Sequence, residues 1–174
     1  ASILALVGGF AAVYLTYKEK EVKKLTTQLK DAVSAAIVSP MHGKAIALKE
    51  VEDEVFRGGS LGQGAAIIPT EGKLYAPIDG TIAMVFPTGH AIGIKTIDGL
   101  EILMHVGMNT VELNGKGFNA KVNPGDHVVH GDLLLEFDIE EIQKAGYSVV
   151  TPIVITNSNS YHEVLPDVSG ESIH

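Results

Sequence analysis

The sequence predicts an all-β body, an antiparallel sandwich or barrel, and three observations carry that expectation. Glycine (19) and proline (7) are frequent in 174 residues, so the chain turns often. Aromatic residues make up only 6%, and the apolar content is spread over short Val/Ile/Leu runs instead of long helical stripes. Turn chemistry separates those runs. Ile78-Asp79-Gly80, Asp98-Gly99, Asn114-Gly115 and Pro124-Gly125-Asp126 each set Gly, which supplies positive φ, beside Asp or Asn, which tolerate it.

Residues 1–17, ASILALVGGFAAVYLTY, are uncharged and apolar, and Lys18, Lys20, Lys23 and Lys24 follow at once. A spanning helix needs about 20 apolar residues, and clustered Lys marks the cytoplasmic side. With no charged start and no initiator Met, the run reads as the end of a transmembrane helix and not as a signal peptide. A buried or amphipathic soluble helix is the third reading. Residues 18–38 read as a linker helix, with Val22, Leu25, Leu29 and Val33 near one face and Glu19 four residues before Lys23.

The globular body is expected over 39–160, with 161–174 a polar tail whose end frays. Strands are expected at 65–68, 73–75, 81–86, 91–96, 101–106, 133–137 and 148–155. One short helix is expected at 139–145, capped by Asp138 with Glu141 completing a capping box. A faint echo links Pro40-Met41-His42-Gly43 to Pro77-Ile78-Asp79-Gly80, two P-x-x-G turns that each lead into an apolar segment.

A formal charge of −8 disfavours nucleic acid as a partner, because binding phosphates needs a basic patch. The absence of cysteine excludes disulfides, Cys-ligated zinc, iron–sulfur clusters and thiol catalysis. Seven histidines are then the first candidates for chemistry near neutral pH. His42, His127, His130, His162 and His174 fall in turns, loops or the tail and read as surface residues. His105 closes the apolar run 100–105 ahead of Gly107, a setting that keeps its ring neutral and nucleophilic. His90 opens the preceding strand, and pairing through the Asp98-Gly99 hairpin brings it close to His105. A hydrogen-bonded core histidine remains the alternative for each. Gly58-Gly59-Ser60-Leu61-Gly62-Gln63-Gly64 lacks the Lys-Ser/Thr of a phosphate-binding loop and reads as a flexible loop.

At these residues the sequence resembles the glucose-type IIA domains of the bacterial phosphoenolpyruvate-dependent sugar phosphotransferase system. The likeness runs from about Ser39 to Thr156. It includes Tyr75-Ala76-Pro77-Ile78-Asp79-Gly80-Thr81-Ile82 and Phe86-Pro87-Thr88-Gly89-His90-Ala91. Its strongest part is Leu103-Met104-His105-Val106-Gly107-Met108-Asn109-Thr110-Val111-Glu112-Leu113, followed by Gly115-Lys116-Gly117-Phe118.

The resemblance implies a β-sandwich with two neighbouring histidines in a shallow apolar depression. His105 would take a phosphoryl group on Nε2 from the histidine-containing phosphocarrier protein. His90 would support that group and Thr88 would orient His90. Val55, Phe56, Phe86 and Val106 would form a dry rim for the partner, joined by Asp53, Asn109, Val111 and Glu112. Asn109 departs from the family, which usually has Asp there. That loss of charge leaves acceptance intact and weakens the case for passing the group to a IIB domain.

The amino-terminal run resembles the end of a permease, either a phosphotransferase membrane domain or a lactose/raffinose-type carrier. Regulation of the latter by phosphorylation is slightly favoured, which puts the domain in the cytoplasm of a bacterium and its anchor in the cell membrane. No cofactor is required on this reading. The alternative is a binding module in which His90 and His105 meet a partner or share zinc. A hydrolase using the pair as acid and base lacks an identifiable substrate pocket.

Overall fold

The computed structural model of the chain describes residues 18–21, 23, 35–169 and 171–172. Residues 18–21 and 23 are helical, while the expected transmembrane end at 1–17 lies outside the described residues. Among the described residues no helix is long and apolar enough to cross a membrane. Residues 35–39 have no regular structure, so the linker helix does not extend to 38. Ile37 already packs on the core, and the Val38 N–H donates to the Pro77 carbonyl at 3.2 Å.

The unit Ala36–His174 is built from antiparallel strands. In chain order they are β1 (Gly43–Ala47), β2 (Gln63–Pro69), β3 (Lys73–Tyr75), β4 (Gly80–Val85), β5 (Ala91–Lys95) and β6 (Glu101–His105). There follow β7 (Phe118–Ala120), β8 (His127–Val128), β9 (Leu133–Phe137), β10 (Thr151–Ile155) and β11 (Glu171–Ser172). An eight-stranded sheet runs β11-β1-β2-β10-β6-β5-β4-β8, and β3-β9-β7 form a second, three-stranded sheet. Two short helices, α1 (Glu54–Arg57) and α2 (Ile139–Lys144), complete the body.

The period-two alternation of strands decides where the histidines go. In β6, Ile102 and Met104 are buried in the main core, opposite Ile94 and Ile92 of β5. The other face carries Leu103 and His105, which pair with Gly93 and Ala91. On that face Leu103 packs against a smaller cluster of Leu48, Val51, Phe56, Ala66, Met108 and Val154. His105 therefore stands at the end of a strand between two hydrophobic clusters.

Several sequence expectations are revised. The 148–155 strand begins only at Thr151, because the Ser148 carbonyl accepts from Met108 N–H at 3.0 Å and is committed to the loop after β6. The glycine-rich 58–64 segment is not a loose loop. Bonds from Gly59 N–H to Phe56 and Ser60 N–H to Val55 wind it onto α1, and Gln63 and Gly64 open β2. A side chain at Gly62 or Gly64 would strike the carbonyls of Ile155 or Ile153 in β10.

In the tail, Tyr161 and Val164 pack on the core and β11 pairs with β1, while its last two residues, where fraying is expected, lie outside the described residues. Half of the expected capping box is present. Asp138 accepts from Glu141 N–H at 2.9 Å, but its own N–H donates to Gly117 and the Glu141 carboxylate pairs with Lys116. The two P-x-x-G turns lie side by side, since Tyr75 N–H donates to the Pro40 carbonyl at 2.7 Å while Val38 reaches Pro77.

Candidate functional site

β5 and β6 are in register with Ala91 opposite His105, which places His90 one step beyond the pair. The Val106 N–H donates to the His90 carbonyl at 2.8 Å and fixes that step. The two imidazoles meet edge to face, with ring centroids 4.7 Å apart and planes at 76°. Phe56 lies 5.3 Å from the His105 ring, and Phe86 lies 5.3 Å from the His90 ring. The pair is thus flanked by an aromatic ring on each side.

Each imidazole has one nitrogen engaged by the protein. His105 Nδ1 is 2.8 Å from the Gly107 carbonyl. A carbonyl can only accept, so Nδ1 carries the proton and Nε2 keeps its lone pair. Gly107 makes this bond possible, because its φ of +76° curls the chain back under the ring. His90 Nδ1 is 2.5 Å from the Thr88 hydroxyl, in a turn closed by Gly89 N–H to the Phe86 carbonyl at 2.7 Å. With Thr88 donating, His90 bears its proton on Nε2 and can give a hydrogen bond to an anion next to His105.

Burial keeps both rings neutral at physiological pH. His90 is 3% exposed, and desolvation, with repulsion from His105 as the lesser cause, pushes its pKa down to about 4. Desolvation also lowers His105, opposed by the hydrogen bond to Gly107 and more weakly by the Asp53 carboxylate. A neutral His105 is a nucleophile; a protonated one is not.

The expected rim residues divide. Val55 (48% exposed), Phe86 (36%) and Val111 (47%) lie at the surface, as do Asn109 and Glu112. Phe56 and Val106 do not. Phe56, 5% exposed, turns inward from α1 onto the smaller cluster, and Val106, fully buried, belongs to the main core. Phe56 is a wall of the His105 site and offers a partner almost no surface.

Asp53 is half-buried and caps α1, accepting from Val55 N–H at 2.9 Å and Phe56 N–H at 3.2 Å. Asn109 sits at φ 58°, ψ 16°, a left-handed conformation that Asn and Asp tolerate. His127 Nδ1 is 3.0 Å from the Thr81 hydroxyl, and His130 N–H donates to Asp79 at 2.8 Å. Both are exposed, as is His162, while His42 is half-buried and His174 lies outside the described residues. Among the described residues no group of three or more His, Asp or Glu side chains could hold a metal ion, so the pair would offer zinc two ligands.

Sequence reasoning passed over Gly107 and Ser148 as parts of the site. The available signal was the glycine two residues after His105, where a strand ends and the chain must reverse.

The family model for the phosphoenolpyruvate-dependent sugar phosphotransferase system, EIIA 1, matches residues 35–161. A β-glucoside-specific EIIBCA component from Dickeya chrysanthemi is 43% identical over 98% of this chain, which spans 30% of that relative's length. A glucose-specific EIIA component from Bacillus cereus is 48% identical over 74% of this chain and 78% of its own. Among solved structures, glucose permease IIA from Mycoplasma capricolum superposes with a TM-score of 0.67 at 42% identity, covering 69% of this chain and 78% of that one. The β-sheet architecture and the family match agree, and this chain belongs to the EIIA 1 family of the phosphoenolpyruvate-dependent sugar phosphotransferase system.

Proposed function

We propose that His105 is a phosphoryl carrier in sugar uptake, loaded on Nε2 by a phosphohistidine of the histidine-containing phosphocarrier protein. The observation that carries this reading is the bond from His105 Nδ1–H to Gly107, which leaves Nε2 as the free nucleophile beside His90. In the transfer the donor's N–P bond breaks and its electron pair returns to the donor nitrogen, while Nε2 of His105 forms the new N–P bond. Nδ1 keeps its proton throughout. Positioning and charge stabilisation are most of what phosphoryl transfer needs, and His90 Nε2–H supplies a donor to the phosphoryl oxygens.

The partner would dock over the exposed apolar side chains of Val55, Phe86 and Val111. Onward transfer to a B component is favoured by the naming of relatives as EIIBCA components. The lactose-type regulatory reading has no comparable support. On this proposal the domain works on the cytoplasmic side of a membrane permease, either its own or a neighbouring one.

Incubation of the chain with phosphoenolpyruvate, enzyme I and the phosphocarrier protein is expected to give an acid-labile, base-stable phosphate, and His105→Ala to abolish it. Labelling that persists in His105→Ala would sink the assignment. His90→Gln is expected to accept phosphate yet donate it poorly, since it retains a hydrogen-bond donor and loses the imidazole; complete loss of acceptance contradicts that division of labour.

A further inference from the structure

The loop after β6 must present one carbonyl, that of Gly107, to Nδ1 of His105. Three ties hold the loop. Val106 N–H reaches His90, Met108 N–H reaches Ser148, and the Thr110 hydroxyl donates to the Val106 carbonyl at 2.6 Å. Thr110 is fully buried. Its methyl group also packs over Gly107, since Cγ2 lies 2.5 Å from where a Cβ on that glycine would sit. One side chain therefore bonds the peptide before Gly107 and covers the α-carbon of Gly107 itself.

From this arrangement we infer that Thr110 is a positioning residue for phosphoryl acceptance, holding the Gly107 carbonyl where it locks His105 in the Nδ1–H tautomer. The inference rests on the reading of His105 as the acceptor. Its physical basis is that the hydrogen bond at one imidazole nitrogen decides which tautomer the other presents. A carbonyl free to swing would allow the Nε2–H tautomer, which has no lone pair at the attacking atom. Removing the hydroxyl also strands the buried Val106 carbonyl, a loss that the loop can relieve only by moving.

The test compares Thr110→Val, which keeps the shape, Thr110→Ala, and Thr110→Ser, which keeps the hydroxyl, in the 174-residue chain. Two readouts are taken: the single-turnover rate of phosphate transfer from phosphorylated phosphocarrier protein, and the imidazole 15N and Nδ1–H signals of unphosphorylated His105. Thr110→Val and Thr110→Ala are expected to slow transfer about tenfold with unchanged half-saturation by the donor, as loss of an imidazole-orienting contact does. The His105 Nδ1–H signal should exchange faster and its 15N shifts move towards a tautomer mixture, with His90 unaffected. Thr110→Ser should restore both.

Normal rate and a protected Nδ1–H in Thr110→Val or Thr110→Ala overturn the inference, as does a slowed rate with an unchanged His105 tautomer. Thr110→Ser behaving like Thr110→Val also overturns it. Should Thr110→Val fail to fold, Thr110→Ala against Thr110→Ser decides. Wild-type protein that takes no phosphate removes the reading of His105 as acceptor. The tautomer signal, recorded without any donor, still tests Thr110.

Discussion

His105 and His90 have the same side chain but are set in different tautomers by one hydrogen bond each. The Gly107 carbonyl sets the proton of His105 on Nδ1, while the Thr88 hydroxyl can donate to His90 Nδ1 and leave Nε2–H as a donor. Burial then keeps both uncharged. His90 is expected to stay neutral in 15N titrations down to pH about 5, with its midpoint near 4. Between the ordinary value of 6.5 and about 4 the unfolded chain binds a proton that the folded chain refuses, so stability falls as pH falls through that window and this contribution is flat below it. His90→Gln should therefore show a shallower decline of Tm across that range than wild type; equal slopes contradict the burial argument. Gly107 is the other residue with no substitute. A Cβ there would lie 2.5 Å from Thr110 Cγ2 and 2.6 Å from the Ser148 carbonyl oxygen, at positive φ. Gly107→Ala is expected to cost about 1–3 kcal/mol in thermal or urea unfolding and to slow phosphate acceptance. An unchanged midpoint and rate would show that the loop has slack the packing denies.

At the scale of elements, the site depends on α1 as much as on the strands. Its four residues are too few to be stable on propensity, and the Asp53 cap and burial of Phe56 hold it against His105. Asp53→Ala is expected to lose about 1 kcal/mol of stability through the cap, whereas Asp53→Asn keeps the cap and should lose only affinity for a basic partner. Denaturation midpoints paired with donor binding separate the two; Asn behaving like Ala in stability would place the charge, not the cap, first. The strands β5, β6 and β9 were legible because Leu, Ile and Val residues lie between turn residues. The hairpin through Asp98-Gly99 made the His90–His105 meeting readable as well. β1, β7, β8 and β11 were not among the expected strands. β7, β8 and β11 have two or three residues each, too few to show a period, and β1 is a small-residue run, GKAIA. The inward turn of Phe56 was equally hidden, because a four-residue helix between Asp53 and Gly58 has no amphipathic pattern to read.

For the molecule as a whole, the eight-stranded sheet buries one face in the main core and uses the other to seat the histidine pair beside the smaller cluster. The three-stranded sheet adds Leu74, Leu134, Leu135 and Phe137 to the main core, which gives the strand end bearing His105 a rigid support. A net charge of −8 disfavours nucleic acid as a partner. The proposed function turns on one atom, Nε2 of His105. The most direct test is long-range 1H–15N and 31P NMR on the phosphorylated chain. The proposal predicts phosphorus bonded to Nε2 of His105, a retained Nδ1–H on the same ring and an unmodified His90. Phosphate on His90, or on Nδ1 of His105, would contradict it.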